Sequence, residues 1–118
     1  MYNLLWSDPH TPEEIKGLEN DLEGILLSRP PFTQDDSKRF LERVNLKHII
    51  RAHKLVNTGY QDKFDDKSVI TVFSSANYCM LGNIAAIMEY NSEDYYRIIQ
   101  FDDEKVYEPI QFGGVNKQ

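Results

Sequence analysis

The side chains that stand out as able to bind a metal or attack a substrate are three histidines (His10, His48, His53), one cysteine (Cys79) and, among 19 acidic residues, Asp8 and the pair Asp35-Asp36. No spacing assembles a site locally, since GxGxxG, P-loop, HExxH and paired CxxC patterns are all missing. His53 follows the run Ile49-Ile50-Arg51-Ala52. A strand there fixes an imidazole while the loop beyond it leaves room for a ligand. One imidazole does not make a metal site, so two readings stand: a metal ligand, or a partly buried histidine bonded to nearby backbone. Cys79 has no histidine near it in sequence to activate it as a nucleophile, and reads as a small packing residue beside Tyr78. Asp35-Asp36 read as first-turn acids of a helix.

The elements that must position these residues follow from local pattern. Thr11-Pro12-Glu13-Glu14 is a helix start, with Thr11 as cap, Pro12 in the first helical position and Glu14 completing a capping box. Ile15, Leu18, Leu22 and Ile25 continue it at roughly helical spacing, and Arg29-Pro30-Pro31 ends it. A second helix starts near Thr33 or Asp35, with Phe40, Leu41 and Val44 on one face. Strands are expected over Leu46–Ala52, Val69–Phe73, Ile84–Tyr90 and Tyr95–Phe101. Turns fall at Asn57-Thr58-Gly59 and Asp65-Asp66-Lys67. The run Val69–Phe73 is β-branched and apolar, as in a central strand covered on both faces. The polar segment from Asp102 to Gln118 reads as a loose tail. The fold class is therefore mixed α/β, with strands crowded into the second half.

Composition limits the function. The 118 residues suffice for one domain, and a net charge of -6 argues against nucleic-acid binding, which needs a basic face. No apolar run approaches a membrane span, and one cysteine allows no internal disulfide. A soluble cytoplasmic or nuclear protein is expected, with no membrane partner.

Several stretches, taken in order, resemble one family. Leu4-Leu5-Trp6-Ser7-Asp8-Pro9, Phe32-Thr33-Gln34-Asp35, Arg51-Ala52-His53, Gly59-Tyr60, Val69–Ser74, Asn77-Tyr78-Cys79 and Gly82-Asn83-Ile84-Ala85-Ala86-Ile87-Met88 are similar to the C-terminal part of the phosphoprotein phosphatase catalytic domain. The last stretch resembles the type 2A subgroup in particular. The resemblance implies residues 1–101 as the C-terminal portion of a calcineurin-like metallophosphoesterase β-sandwich flanked by helices, with 102–118 as the tail. It implies phosphoserine and phosphothreonine proteins as substrates, regulatory subunits as partners, and two divalent metal ions (Mn, Fe or Zn) that activate a bridging water. His53 matches a family metal ligand. Tyr78 and Asn77 match the loop overhanging the substrate cleft, and Arg29 is the candidate phosphate-binding arginine.

The departures are equally specific. GDxHG, GDxxDRG and GNHE motifs, which carry the family's other ligands, are missing: no glycine here precedes an aspartate, and Gly82-Asn83 continues with Ile84. Ala76 replaces the proline of the family's FSAPNYC, which frees a backbone angle. These departures predict an incomplete metal site and a divergent fragment inactive alone. Its strands Val69–Phe73 and Ile84–Met88 would then lack cover, with a missing N-terminal half as the possible partner. The alternative is a non-catalytic phosphatase-like binding module.

Overall fold

The structure is a computed structural model that describes residues 7–18, 30–92 and 94–114. Leu4-Leu5-Trp6, the expected helical continuation through Leu22 and Ile25, and Arg29 lie outside the described residues. The described residues divide between two compact units, one within Met1–Ile49 and Asp62–Val69, the other within Ile50–Gln61 and Ile70–Gln118.

In the first unit, helix α1 spans Pro12–Gly17 and opens with the expected capping box. The Glu14 N–H donates to Thr11 Oγ1 at 3.2 Å, and the Thr11 N–H donates to Glu14 Oε2 at 2.8 Å. Two otherwise orphaned donors are thereby satisfied. The other Glu14 oxygen accepts from Lys63 Nζ at 2.7 Å. Helix α2 spans Gln34–Val44 and is capped the same way by Thr33 and Asp36. It ends at Asn45, whose φ of 54° is left-handed. Its inward stripe is Ser37 and Leu41, one helical repeat apart, whereas Phe40 and Val44 are exposed. Ser37 can be buried there because its hydroxyl donates to the Thr33 carbonyl at 3.0 Å. Leu41, Phe64, Val69 and Pro9 form the buried apolar set. Pro9 bridges Phe32 through two backbone bonds, Phe32 N–H to Asp8 O at 3.2 Å and His10 N–H to Phe32 O at 2.9 Å.

Strands β1 (Ile49–Arg51), β2 (Tyr60–Asp62) and β3 (Val69–Val72) form one sheet with β3 in the middle. β1 is shorter than the expected Leu46–Ala52, because Leu46 bonds back to the end of α2 (Leu46 N–H to Leu41 O, 3.0 Å). β2 is a strand that sequence pattern does not mark, since Tyr60-Gln61-Asp62 is polar and short. A second sheet joins β4 (Ala85–Ser92), β5 (Tyr95–Phe101) and β6 (Ile110–Gly113), all antiparallel. Its inner face is set by alternation: Ala86 opposes Gln100, Met88 opposes Ile98, and Tyr96 opposes Phe112. Tyr96 stacks on Phe112 at 4.9 Å and on Tyr90 at 6.1 Å. The opposite face carries Ile87 and the Glu89–Arg97 ion pair.

Two expectations need correction. The segment from Asp102 is no loose tail over its described length, because β6 pairs with β5 and Val106 bridges Phe101. The turn before β6 is held by Asp102, whose Oδ1 accepts from the Glu104 and Lys105 N–H groups. Nor do β3 and the start of β4 lack cover: Val69, Ile70, Thr71, Ala85 and Ala86 are fully buried. Exposed apolar side chains include Phe40, Val44 and Leu46 in the first unit and Ile50, Met80, Leu81, Ile87 and Val106 in the second, Ile87 being the one exposed position within Ile84–Met88.

Candidate functional site

The residues singled out by sequence sit mostly in the second unit, on the segments that follow its strands. His53 stands two residues beyond β1 and is exposed, which corrects its reading as a partly buried histidine. Its φ of 79° is left-handed. A histidine there is unusual, because its Cβ crowds the carbonyl in that region. Arg51, on β1 just before it, donates from Nη1 to Thr71 Oγ1 on β3 at 3.4 Å.

The segment after β3 carries Asn77 and Tyr78. Phe73 N–H donates to Gly59 O at 2.7 Å, and Ala86 N–H donates to Phe73 O at 2.9 Å, so Phe73 is fixed between the Gly59 turn and β4. Gly59 makes this approach possible. Its φ is +80°, and a Cβ there would fall 2.4 Å from the Ala85 carbonyl carbon. From Phe73 the chain runs out through Ser74 and Ser75 into a short 3₁₀ turn, Tyr78–Met80, then returns through Gly82 and Asn83. The Tyr78 ring meets Phe73 edge-on at 5.4 Å and 88°, leaving 48% of Tyr78 exposed.

The Asn77 side-chain Oδ1 accepts from the Gly82 N–H at 3.0 Å, so it closes the loop on itself. Cys79 is exposed and left-handed (φ 49°), which corrects its reading as a packing residue. The residue that sequence reasoning passed over is Asn83. It is 4% exposed and its carboxamide bonds to both sides of the loop. Nothing in the local sequence marks it, because its importance lies in being a buried amide that must be satisfied, and burial is set by the fold.

Among the described residues no group of three His, Cys, Asp or Glu side chains could hold a metal ion. His53 offers one imidazole donor, so the described residues alone do not fit a two-metal centre. No described helix is long and apolar enough to cross a membrane.

The fold of both units is found in known phosphatases. A protein serine/threonine phosphatase from Saccharomyces cerevisiae, with similarity to human phosphatase PP5, superposes on 98% of this chain with a TM-score of 0.53 at 24% identity. In sequence, 94 residues are 41% identical to a protein phosphatase 2A catalytic subunit of Dictyostelium discoideum, covering 79% of this chain. Another 95-residue match is 40% identical to serine/threonine-protein phosphatase 5 of Solanum lycopersicum. No protein-family model matches the chain. The chain is thus similar to the phosphoprotein phosphatases, a family of metal-dependent serine/threonine phosphatases, and has their calcineurin-like fold. It spans only 28% of the first of these relatives and 16% of the second.

Proposed function

We propose that this chain supplies the C-terminal part, residues 1–101, of a serine/threonine phosphatase catalytic region, without the full hydrolytic machinery. The observation that carries the reading is the 41% identity over four fifths of the chain, beside which the sequence holds RAH, NYC and GNIAAIM in family order. His53 contributes one ligand to a divalent-metal centre whose other ligands are not among the described residues. Its strained, exposed position after β1 supports that role, since non-glycine residues held at positive φ concentrate at functional sites. Tyr78 forms the rim facing a phosphoserine or phosphothreonine segment, with Asn77 holding the rim rather than touching substrate. Arg29 is the proposed phosphate contact. Regulatory subunits are the expected class of further partner, and a cytoplasmic or nuclear location accords with the single cysteine. Identities of 41% and 40% to type 2A and type 5 relatives do not separate the subgroups, so the proposal stays at the family.

The lack of GDxHG, GDxxDRG and GNHE motifs in the sequence predicts no turnover by this chain alone. The test is a Zn²⁺ titration followed by NMR at His53, with His10 and His48 as internal controls, beside a phosphopeptide hydrolysis assay. The expected result is weak binding centred on His53, abolished in His53→Gln, and no phosphate release. Two tightly bound ions per chain, or turnover, overturns the incomplete-site reading; a His53 signal indifferent to Zn²⁺ overturns the ligand assignment. The exposed apolar tip Tyr78-Met80-Leu81 favours a second reading, a non-catalytic binding module. That reading predicts phosphopeptide binding without any dependence on metal.

A further inference from the structure

We infer that Asn83 is a positioning residue: its buried carboxamide sets the conformation of the loop from Ser75 to Leu81, and so where Tyr78 stands. The inference rests on the proposed role of Tyr78 in the rim. Asn83 Oδ1 accepts from the Tyr78 N–H at 2.8 Å, while Nδ2 donates to the Ser75 carbonyl at 2.8 Å and to the Ile84 carbonyl at 3.2 Å. One acceptor and two donors are used at once, and among side chains of this size only a carboxamide offers both. The amide orientation is fixed by the same logic, because a flipped group would set oxygen against two carbonyls.

The backbone of Asn83 adds to the clasp, its carbonyl accepting from the Asn77 N–H at 2.9 Å. Asn77 answers from the other side through its own Oδ1 and the Gly82 N–H. Inside the clasp, Asn77, Cys79 and Met80 hold φ values of 47°, 49° and 62°. Non-glycine residues keep such angles only where surrounding structure enforces them. Apolar burial does not enforce them here, since Met80 is 89% exposed and Leu81 and Tyr78 are exposed as well. The rim is held by polar bonds at its base, and most of them run to Asn83.

The telling variant is Asn83→Asp in the full chain. It keeps the acceptor for Tyr78 and the side-chain shape, but puts a carboxylate oxygen where two carbonyls expect a donor. Amide exchange at Tyr78 and Leu81, and alkylation of Cys79, should rise at least about tenfold, the factor for one lost hydrogen bond at the upper end of its usual worth, since two are lost here. The Tyr78 ring resonances should leave their Phe73-shifted positions, and return toward them as pH falls and the introduced carboxyl regains a proton. Amides of β4 and β5 should keep their protection. Asn77→Ala, at an exposed position, should move the loop readouts the same way by a smaller factor. Unchanged loop exchange in Asn83→Asp, or protection lost equally across β4 and β5, overturns the inference. Should Asn83→Asp fail to fold, Asn77→Ala decides: an unaltered loop overturns it. None of these readouts involves phosphate, so the rim role of Tyr78, tested separately by phosphopeptide affinity in Tyr78→Ala, can fail without touching this result.

Discussion

Gly59 shows how much of this molecule turns on single positions. It holds a φ of +80° and lets the turn before β2 approach within contact of the Ala85 backbone. Gly59→Ala meets both a left-handed backbone and a carbonyl carbon at 2.4 Å, and neither neighbour is a flexible side-chain end. Left-handed strain and overpacking together should cost roughly 2–5 kcal/mol, read from the urea midpoint at unchanged slope. A loss below about 1 kcal/mol would show that the turn relaxes away from β4. The same scale separates Asn77 from Tyr78: adjacent in sequence, one side chain ties the loop and the other is presented by it.

Helix ends and their ion pairs are legible one scale up. Thr33 caps α2 through its hydroxyl, which accepts from the Asp36 N–H at 3.3 Å, and the Thr33 N–H donates to Asp36 Oδ2 at 2.9 Å. Thr33→Ala should destabilise the chain by about 1 kcal/mol in chemical denaturation, with the loss of far-UV helicity confined to the α2 contribution. At α1, the Lys63 ammonium, followed by the Thr11 N–H, holds the Glu14 carboxyl below its usual range. A carboxyl whose pKa is depressed by folding adds stability above its unfolded value, and that stability is lost as pH falls through the folded value. The thermal midpoint should therefore drop as pH falls below about 4, and this drop should be shallower in Lys63→Met. An identical acid slope in both proteins would mean the pair contributes nothing measurable, as exposed pairs often do. Lys63 itself is largely covered, its side chain 9% exposed, so methionine preserves the packing of its stem.

At the scale of the whole molecule, each unit sets a small buried apolar core beside several exposed apolar side chains. Phe40, Val44 and Leu46 in the first unit, with Met80, Leu81 and Ile87 in the second, stay open to water. Phe40 also helps line an apolar cavity of about 520 Å³ with Pro30, Pro31, Phe32 and Ile49. Apolar surface left wet forgoes about 25 cal/mol per Å². The purified chain should bind the dye ANS at neutral pH and sediment with a mass that rises with concentration. A strictly monomeric chain with a sharp thermal transition and no dye binding would favour the self-sufficient module over the partial phosphatase. Phe40→Ser and Leu46→Ser, both at exposed positions, should lower dye binding while costing no more than about 0.5 kcal/mol of stability.

Local chemistry was enough for the α1 capping box, the central run Val69–Thr71 and the bounds of β5, because caps and β-branched periodicity act within a few residues. Ordered motifs on either side of β3 were enough for the family. Local pattern did not decide which helix face turns inward: Ser37, with its hydroxyl satisfied by Thr33, displaced Phe40 and Val44. Nor could it show that the polar stretch after Asp102 returns as β6, since that strand exists through its pairing with β5. His53 and Asn83 mark the division best. The motif identified one as a candidate ligand, but its exposure and left-handed backbone are properties of the turn that carries it. The other became visible only when Tyr78, Ser75 and Ile84 were brought around a single amide, because a buried polar group takes its meaning from the partners that folding places around it.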